Sequence, residues 1–528
     1  MTDAPASDYP GGLSDILLVA LNARYHHTSF ALRYLKANLG ELEERCQLME
    51  FTLEERALEC VEKILQQQPR LVGFSVYIWN TTQTLEIVRL LRKLAPDLTL
   101  VVGGPEVSYE WEQQEIVRLA DYLITHEGEL ALKTLATQIL SGQPPESKVI
   151  AGGQPPIEQL ALPYRLYSDH DLQHRVVYVE ASRGCPFKCE FCLSSLDKLV
   201  RYFPLEALLQ ELQTLLDRGA RQFKFIDRTF NLRLEVSQAL LQFFLDRYTP
   251  DLFVHFEMVP DRFPEELRQL VARFPAGAVQ FEIGIQSFDP EVQKSISRRQ
   301  DMAKLEENLI YLRTQTGVHI HADLIVGLPG ETSQQFAKGF DRLIELNPQE
   351  IQVGILKRLR GTPILRHDQE HAMVYSDSPP YEVLSTRAVP FGEMMEMKRF
   401  ARFWEAVANR GRFPRILPLL LGEQPFQRFL EFTRWALPRM KTTREMPHLK
   451  LAEMVFTYLA DELKLPLQPT AEAMLLDFTE DGKRHPPGFL YERSELPREM
   501  LRPARGKTPE QRTLPQRQAR HLAAAKTP

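Results

Sequence analysis

The chain has 528 residues, 44% of them hydrophobic and 25% charged, with a formal net charge of −6. This length suggests roughly three domains at ~150 residues each, and so mild an acidic balance excludes a general attraction to nucleic acid or to an anionic membrane. Five cysteines spread over such a length exclude a disulfide framework.

The N-terminal residues 1–8 show no basic region followed by an apolar run, and no later stretch approaches the ~20 apolar residues needed to span a bilayer. A cytoplasmic protein is expected. Over residues 1–145, apolar runs at 15–21, 47–51, 71–77, 98–103 and 122–125 alternate with segments of helical spacing at 29–39, 53–66, 84–95, 112–119 and 129–140. Five such units predict a flavodoxin-like, doubly wound parallel sheet whose ligands lie beyond the carboxyl ends of the strands. Two strand-end loops stand out there, Ser75-Val76-Tyr77 and Gly103-Gly104-Pro105-Glu106. Glycine lets backbone approach a ligand closely, although a Gly-Gly-Pro turn also simply ends a strand. After the first run comes Asn22-Ala23-Arg24-Tyr25-His26-His27-Thr28, and a histidine in such a polar loop is more often solvated than bound to anything.

Residues 146–170, with Gly152-Gly153-Gln154-Pro155-Pro156, read as a linker. From 171 to 390, apolar runs at 176–180, 223–227, 253–258, 279–285, 320–326 and 350–356 are separated by helical patterns, which predicts a partial (β/α)6 barrel. Function then belongs at the C-terminal ends of the strands. The first of those ends leads into Cys185-Pro-Phe-Lys-Cys189-Glu-Phe191-Cys192, three of the five cysteines within eight residues. Thiolates are the usual ligands of iron-sulfur clusters, and three of them leave one iron of a four-iron cluster open to a substrate or cosubstrate. A zinc ion completed by His170 or His174 and plain core cysteines are the alternatives, though structural zinc sites usually pair C-x-x-C knuckles.

The spacing Cys185-x-x-x-Cys189-x-x-Cys192, with Phe191 before the last cysteine, resembles the signature of the radical S-adenosylmethionine (SAM) superfamily. That resemblance implies a [4Fe-4S] cluster on the three cysteines, SAM chelated to the fourth iron, and one electron from a donor such as flavodoxin or ferredoxin to cleave it. It also implies that Phe191 packs on the adenine, that Gln286 and Ser287 contact the ribose and carboxylate, and that Gly327 to Pro329 passes the adenine. The run Gly327-Leu-Pro329-Gly-Glu331 is equally a turn that caps the next helix.

Taken together, the loops of the first domain resemble a cobalamin-binding domain, in which Ser75, Tyr77, Gly103, Gly104 and Pro105 would line the slot for the nucleotide tail. The Asp-x-His-x-x-Gly motif that carries a cobalt-ligating histidine in other cobalamin proteins is missing. The resemblance therefore implies cobalamin without an imidazole ligand, with neither His26 nor His27 on cobalt.

Residues 391–500 are amphipathic and aromatic-rich, and predict a helical cap on the barrel, with Phe400, Phe403, Trp404, Phe429, Phe432 and Trp435 as its core rather than a substrate cage. The region resembles a C-terminal domain of unknown function found in some cobalamin-binding radical SAM proteins. From Arg502 the tail holds seven basic residues and one acid, Glu510, and it is expected to be disordered over 501–528 and solvated rather than bound to nucleic acid. Beyond the motif only Cys46 and Cys60 remain, too few for a second cluster, which disfavours sulfur insertion. The resulting expectation is methylation of an unactivated carbon of a small molecule or peptide. Two other readings stay open: cyclisation, rearrangement or oxidation with cobalamin as a non-methylating partner or absent, and a non-enzymatic cobalamin or iron-sulfur sensor.

Overall fold

The computed structural model describes residues 14–440, 446–479, 485–496 and 515–525. Strands β1 (Ile16–Asn22), β2 (Cys46–Thr52), β3 (Leu71–Ser75), β4 (Thr99–Gly103), β5 (Tyr122–Thr125) and β6 (Val149–Ala151) form one parallel sheet in the order β2-β1-β3-β4-β5-β6. Every residue of β1 and β3 is buried, because helices cover both faces of a doubly wound sheet. The strand order reverses between β1 and β3, and ligands of such sheets bind at that switch point. The expected five strands are present. The sixth corrects the linker reading: Val149 to Ala151 pairs in register with Leu123 to Thr125, since three apolar residues suffice to extend a sheet edge that is already built.

The second sheet is the open, six-stranded barrel, with β7 (Val177–Val179), β8 (Gln222–Phe225), β9 (Phe253–Met258), β10 (Val279–Gln286), β11 (His319–Val326) and β12 (Glu350–Ile355) all parallel and in sequence order. Side chains alternate between its faces. On β11, Ile320, Ala322 and Leu324 join the main core, which leaves His319, His321 and Asp323 on the inner face. The two sheets are tied by buried ion pairs. Arg33 bridges Glu50 (2.7 Å) and Asp171 (2.8 Å), Arg183 meets Glu127, Glu129 and Glu180 (each 2.8 Å), and Arg360 meets Glu106 (2.9 Å).

The C-terminal helices lie beside the barrel rather than over its mouth. Helix Phe391–Trp404 runs on as a π-helical turn, Glu405–Asn409, and packs with helix Pro425–Ala436 against helix Ser333–Glu345, where Phe340 meets Trp404 at 4.8 Å. Phe400, Phe403, Trp404, Phe429 and Phe432 are buried core, and Trp435 packs at its margin. The reason for the lateral position is the bare edge of β12. Asn409 Nδ2 donates to the Ile351 carbonyl (2.9 Å) and its Oδ1 accepts from the Ile351 amide (3.0 Å), so one side-chain amide pairs the edge strand.

The tail is also corrected in part. Residues 501–514 and 526–528 lie outside the described residues, whereas Gln516–Ala525 form a helix docked on the barrel. Its polar composition hides this, because its partners are the polar groups of the barrel's inner face. Among the described residues no helix is long and apolar enough to cross a membrane.

Candidate active site

The cysteine loop leaves β7 through Ser182–Arg183, which pairs antiparallel with Arg201–Tyr202 and closes the loop at its base. Asp227, at the end of β8, holds this exit by accepting from the Ser182 hydroxyl (2.6 Å) and the Ala181 amide (3.0 Å). Within the loop the Cys185 amide donates to the Asp197 carbonyl (2.8 Å) and the Cys192 amide to the Cys189 carbonyl (3.1 Å). Glu190 is gripped from two sides. Its main chain bonds Ile296 and Ile364, and its buried carboxylate accepts from Ser297 (2.5 Å), contacts His367 (2.8 Å) and pairs with Arg366.

All three cysteines are free thiols, Cys185 and Cys189 buried and Cys192 half-buried. Burial pushes the Cys185 thiol up to about 11, and the adjacent Cys192 and Cys189 push in the same direction. Three thiols close enough to oppose one another's ionisation suit a cationic metal centre, which reverses that opposition. Arg298 Nη1 already donates to Cys189 Sγ at 3.3 Å. The histidines considered as a zinc ion's fourth ligand stand elsewhere: His170, on the helix Asp169–His174, bonds the Tyr25 hydroxyl (3.2 Å), and neither it nor His174 lines the cysteine cavity.

That cavity, about 240 Å³, sits at the barrel mouth between the cysteines and the ends of β8 to β11. Its lining includes buried polar atoms with no protein partner, Gln286 Oε1, Thr229 Oγ1 and Gln300 Oε1. Such atoms are expected where a polar ligand completes the bonding. Gln286 is placed there by a register shift at the end of β10 and by a backbone φ of +74°. Of the residues expected around SAM, Phe191 and Gln286 line the cavity, whereas Ser287, Gly327 and Pro329 do not. The Ser287 hydroxyl turns away to Glu331 (2.5 Å), a Cβ on Gly327 would strike Val383 and Met394, and the Pro329 carbonyl accepts from Ser295 (3.4 Å).

A second cavity, about 800 Å³, lies between the C-terminal ends of β1, β3, β4 and β5 and the barrel. Ser75, Tyr77, Gly103, Gly104 and Pro105 all line it. Gly104 sits at φ +110°, and a Cβ there would stand 2.5 Å from the Val76 carbonyl oxygen, so the loop is built around a missing side chain. Asn80, buried under the loop, donates to the carbonyls of Leu21 (3.2 Å) and Ser75 (3.1 Å) and accepts from the Tyr77 amide (2.8 Å), which fixes the strand ends. Trp79 stacks on Tyr77 at 4.3 Å and stays half-exposed. His27 lines this cavity and His26 does not. Burial and nearby positive charge lower the His27 pKa to about 4, and its Nδ1 is taken by the Tyr178 hydroxyl (2.6 Å).

One side chain belongs to both cavities. Arg228, from the β8 end, lines each of them and meets both oxygens of Glu257 (2.7 and 2.8 Å). Leu193, Ser194 and Asp197 of the cysteine loop also face the larger cavity.

Comparison with known proteins agrees with this arrangement. Residues 179–343 match the model of the radical SAM superfamily. The chain is a radical SAM superfamily protein. Its residues 16–136 match the B12 binding domain, so it is of the cobalamin-binding kind, and residues 369–524 match a protein family of unknown function, DUF4080, which takes in the docked C-terminal helix. The cofactors that go with these domains are a [4Fe-4S] cluster, SAM and cobalamin. Similar curated proteins include the cobalamin-dependent radical SAM methyltransferase TokK of Streptomyces tokunonensis, 24% identical over 68% of this chain and 59% of the relative. Another is the 2-(S-pantetheinyl)-carbapenam-3-carboxylate methyltransferase of Streptantibioticus cattleyicolor, 25% identical over 56% of this chain and 48% of the relative. The radical SAM protein thus spans about half the length of these two relatives. Among solved structures, the cobalamin-dependent SAM radical enzyme OxsB aligns with 97% of the chain and 84% of its own (TM-score 0.61, 14% identity). The methyltransferase TsrM from Kitasatospora setae aligns with 69% of the chain and 78% of its own (TM-score 0.55, 19% identity). At these identities the likenesses establish the fold.

Proposed function

We propose that this protein is a cobalamin-dependent radical SAM methyltransferase acting on an unactivated carbon of a small molecule or peptide, with a flavodoxin- or ferredoxin-type electron donor. The observation that carries this reading is that the glycine-lined cavity and the cysteine cavity share Arg228 in their linings. When bound, the cluster supplies the electron that cleaves SAM, and cobalamin supplies the methyl group to the substrate carbon radical. Cys185, Cys189 and Cys192 would hold the cluster, and the unpartnered Gln286 Oε1 and Thr229 Oγ1 would orient the polar parts of SAM. The Gly103-Gly104 loop would let backbone lie against cobalamin, and His27, whose Nδ1 is engaged by Tyr178, would not serve cobalt. Cys46 and Cys60, buried in the first domain with thiols pushed up to about 12 chiefly by burial, are not available to a second cluster, which argues against sulfur insertion. The protein's work is to position both cofactors and keep water from the space between them.

The test uses anaerobically reconstituted protein, reductant and SAM labelled in its methyl group. 5'-Deoxyadenosine and labelled methylcobalamin should both form, with Gln286→Ala slowing the first without loss of iron. Deoxyadenosine without label on cobalamin would replace methylation by a non-methylating radical reaction.

A further inference from the structure

A run of charged side chains crosses the inner face of the barrel from the cysteine cavity to the opposite end of the strands. Asp323 lines the cavity. Two residues earlier on the same face of β11, His321 meets Asp323 through Nε2 (3.3 Å) and Glu350 through Nδ1 (3.1 Å). Glu350 is the first residue of β12, its side chain 1% exposed, and it also contacts His319 (3.0 Å). The remaining partner comes from the far end of the chain. Arg517 Nη2 stands 2.6 Å from Glu350 Oε2, while Arg517 Nε donates to the Asn409 carbonyl (2.9 Å) and its guanidinium pairs with Glu405 (3.1 Å). Gln518 donates to Gln280 (2.7 Å), and His521 contacts the Asn409 carbonyl (2.9 Å). Gln280, His319 and Glu350 all lie at the starts of their strands, so the C-terminal helix closes the end of the barrel opposite the cysteines.

A carboxylate this deeply buried is costly unless opposed by charge. His319 does not supply it, because burial lowers its pKa and favours the neutral ring. His321 is shared with Asp323. Among the described residues Arg517 is the one partner of Glu350 whose charge is permanent.

We propose that the C-terminal helix is a working part of the barrel, in which Arg517 is a positioning residue that neutralises Glu350 and so leaves His321 to hold the Asp323 carboxylate toward the occupant of the cysteine cavity. The inference rests on the function proposed above only for the identity of that occupant, SAM. Without Arg517, His321 is drawn to Glu350 and Asp323 loses its orientation.

The test compares full-length reconstituted protein with Arg517→Ala, Arg517→Lys, Asp323→Asn and the Arg517→Ala/Asp323→Asn double variant. Hydrogen exchange should rise in Arg517→Ala over β11, which Arg517 reaches through Glu350 and its contacts with His319 and His321; unchanged exchange there overturns the proposal. SAM affinity, measured by equilibrium binding, should fall about tenfold in Arg517→Ala and in Asp323→Asn, recover to within about threefold in Arg517→Lys, and fall little further in the double variant, the signature of coupled residues. Additive losses, or equal losses for alanine and lysine at 517, would show a merely structural helix. Wild-type protein that binds no SAM would instead sink the function proposed above, and the exchange result would still decide the role of the helix.

Discussion

The two neighbouring glycines of the larger cavity should behave differently when replaced by alanine. At Gly104 the backbone is at φ +110°, which an alanine adopts only with strain, and the new Cβ would lie 2.5 Å from the Val76 oxygen and 3.0 Å from its nitrogen. Strained backbone costs about 1–3 kcal/mol and forced overlap a further ~1–3 kcal/mol, so Gly104→Ala should lose about 2–6 kcal/mol. The neighbour cannot yield freely, since the Val76 amide donates to the Gly103 carbonyl (2.8 Å) and its own carbonyl accepts from the Glu106 amide (3.3 Å). Glu106 in turn holds Arg360 (2.9 Å) and Tyr381 (2.6 Å), so the disturbance reaches the contact between the two sheets. At Gly103, by contrast, the φ lies outside the left-handed region and a Cβ meets the Ile124 carbonyl at 3.2 Å, a contact relieved by a few tenths of an ångström. Gly103→Ala should therefore cost under ~1 kcal/mol of stability while adding a methyl group to the cavity lining. Urea unfolding followed by circular dichroism reports the first quantity, and titration with hydroxocobalamin followed by visible absorbance reports the second. Gly104→Ala should lose both stability and binding, Gly103→Ala binding alone. Wild-type stability in Gly104→Ala, or a larger stability loss at Gly103, would refute the reasoning.

Replacement of Cys185, Cys189 or Cys192 by alanine should abolish bound iron and sulfide and the absorbance near ~400 nm, whereas Cys46→Ala and Cys60→Ala should keep them; zinc without labile sulfide in the wild-type protein would overturn the cluster assignment. Asn409→Ala strips both hydrogen bonds from Ile351 at the edge of β12 and should lower the unfolding free energy by about 2–4 kcal/mol, with hydrogen exchange at the Ile351 amide rising first. At His321 burial alone would lower the pKa, but the Asp323 and Glu350 carboxylates outweigh it and raise it from 6.5 to about 10. Its contribution to stability is thus complete below pH 6.5 and is lost as pH rises through about 10. Urea midpoints measured across that window should fall in the wild-type protein and stay flatter in His321→Gln.

Sheet order and the cysteine loop are legible in the sequence for a common reason: strands buried on both faces must be apolar without a break, so runs such as Ile16–Asn22 announce themselves, and three thiols in one short loop have few other uses. What strand-end proximity does not specify is direction. Ser287 and Gln286 are adjacent, yet a strand's side chains alternate, so Gln286 enters the cavity while Ser287 bonds Glu331 on the other side. Arg228 stands in a strand-end segment that the sequence marks as belonging to the mouth, but its place between two cavities depends on how two sheets meet, which no local pattern encodes. The C-terminal helix escapes notice because compositional reading treats polar residues as solvated. Its Arg517 and Gln518 are instead matched to the buried Glu350 and Gln280, a complementarity visible only after residues some 170 to 240 positions apart are brought together.

The amide of Asn409 has a consequence beyond the stability it lends. A partial barrel, unlike a closed one, ends in a row of unpaired peptide groups, and such a row is a template on which the strand of another molecule can assemble. At Ile351 that place is already taken by a carboxamide, which imitates one peptide unit of a seventh strand and offers nothing further to pair with. The region that begins near residue 369 therefore covers the open edge of the barrel at this point. A barrel cut off before the helix Phe391–Trp404 should keep its cysteine loop and still be lost to aggregation.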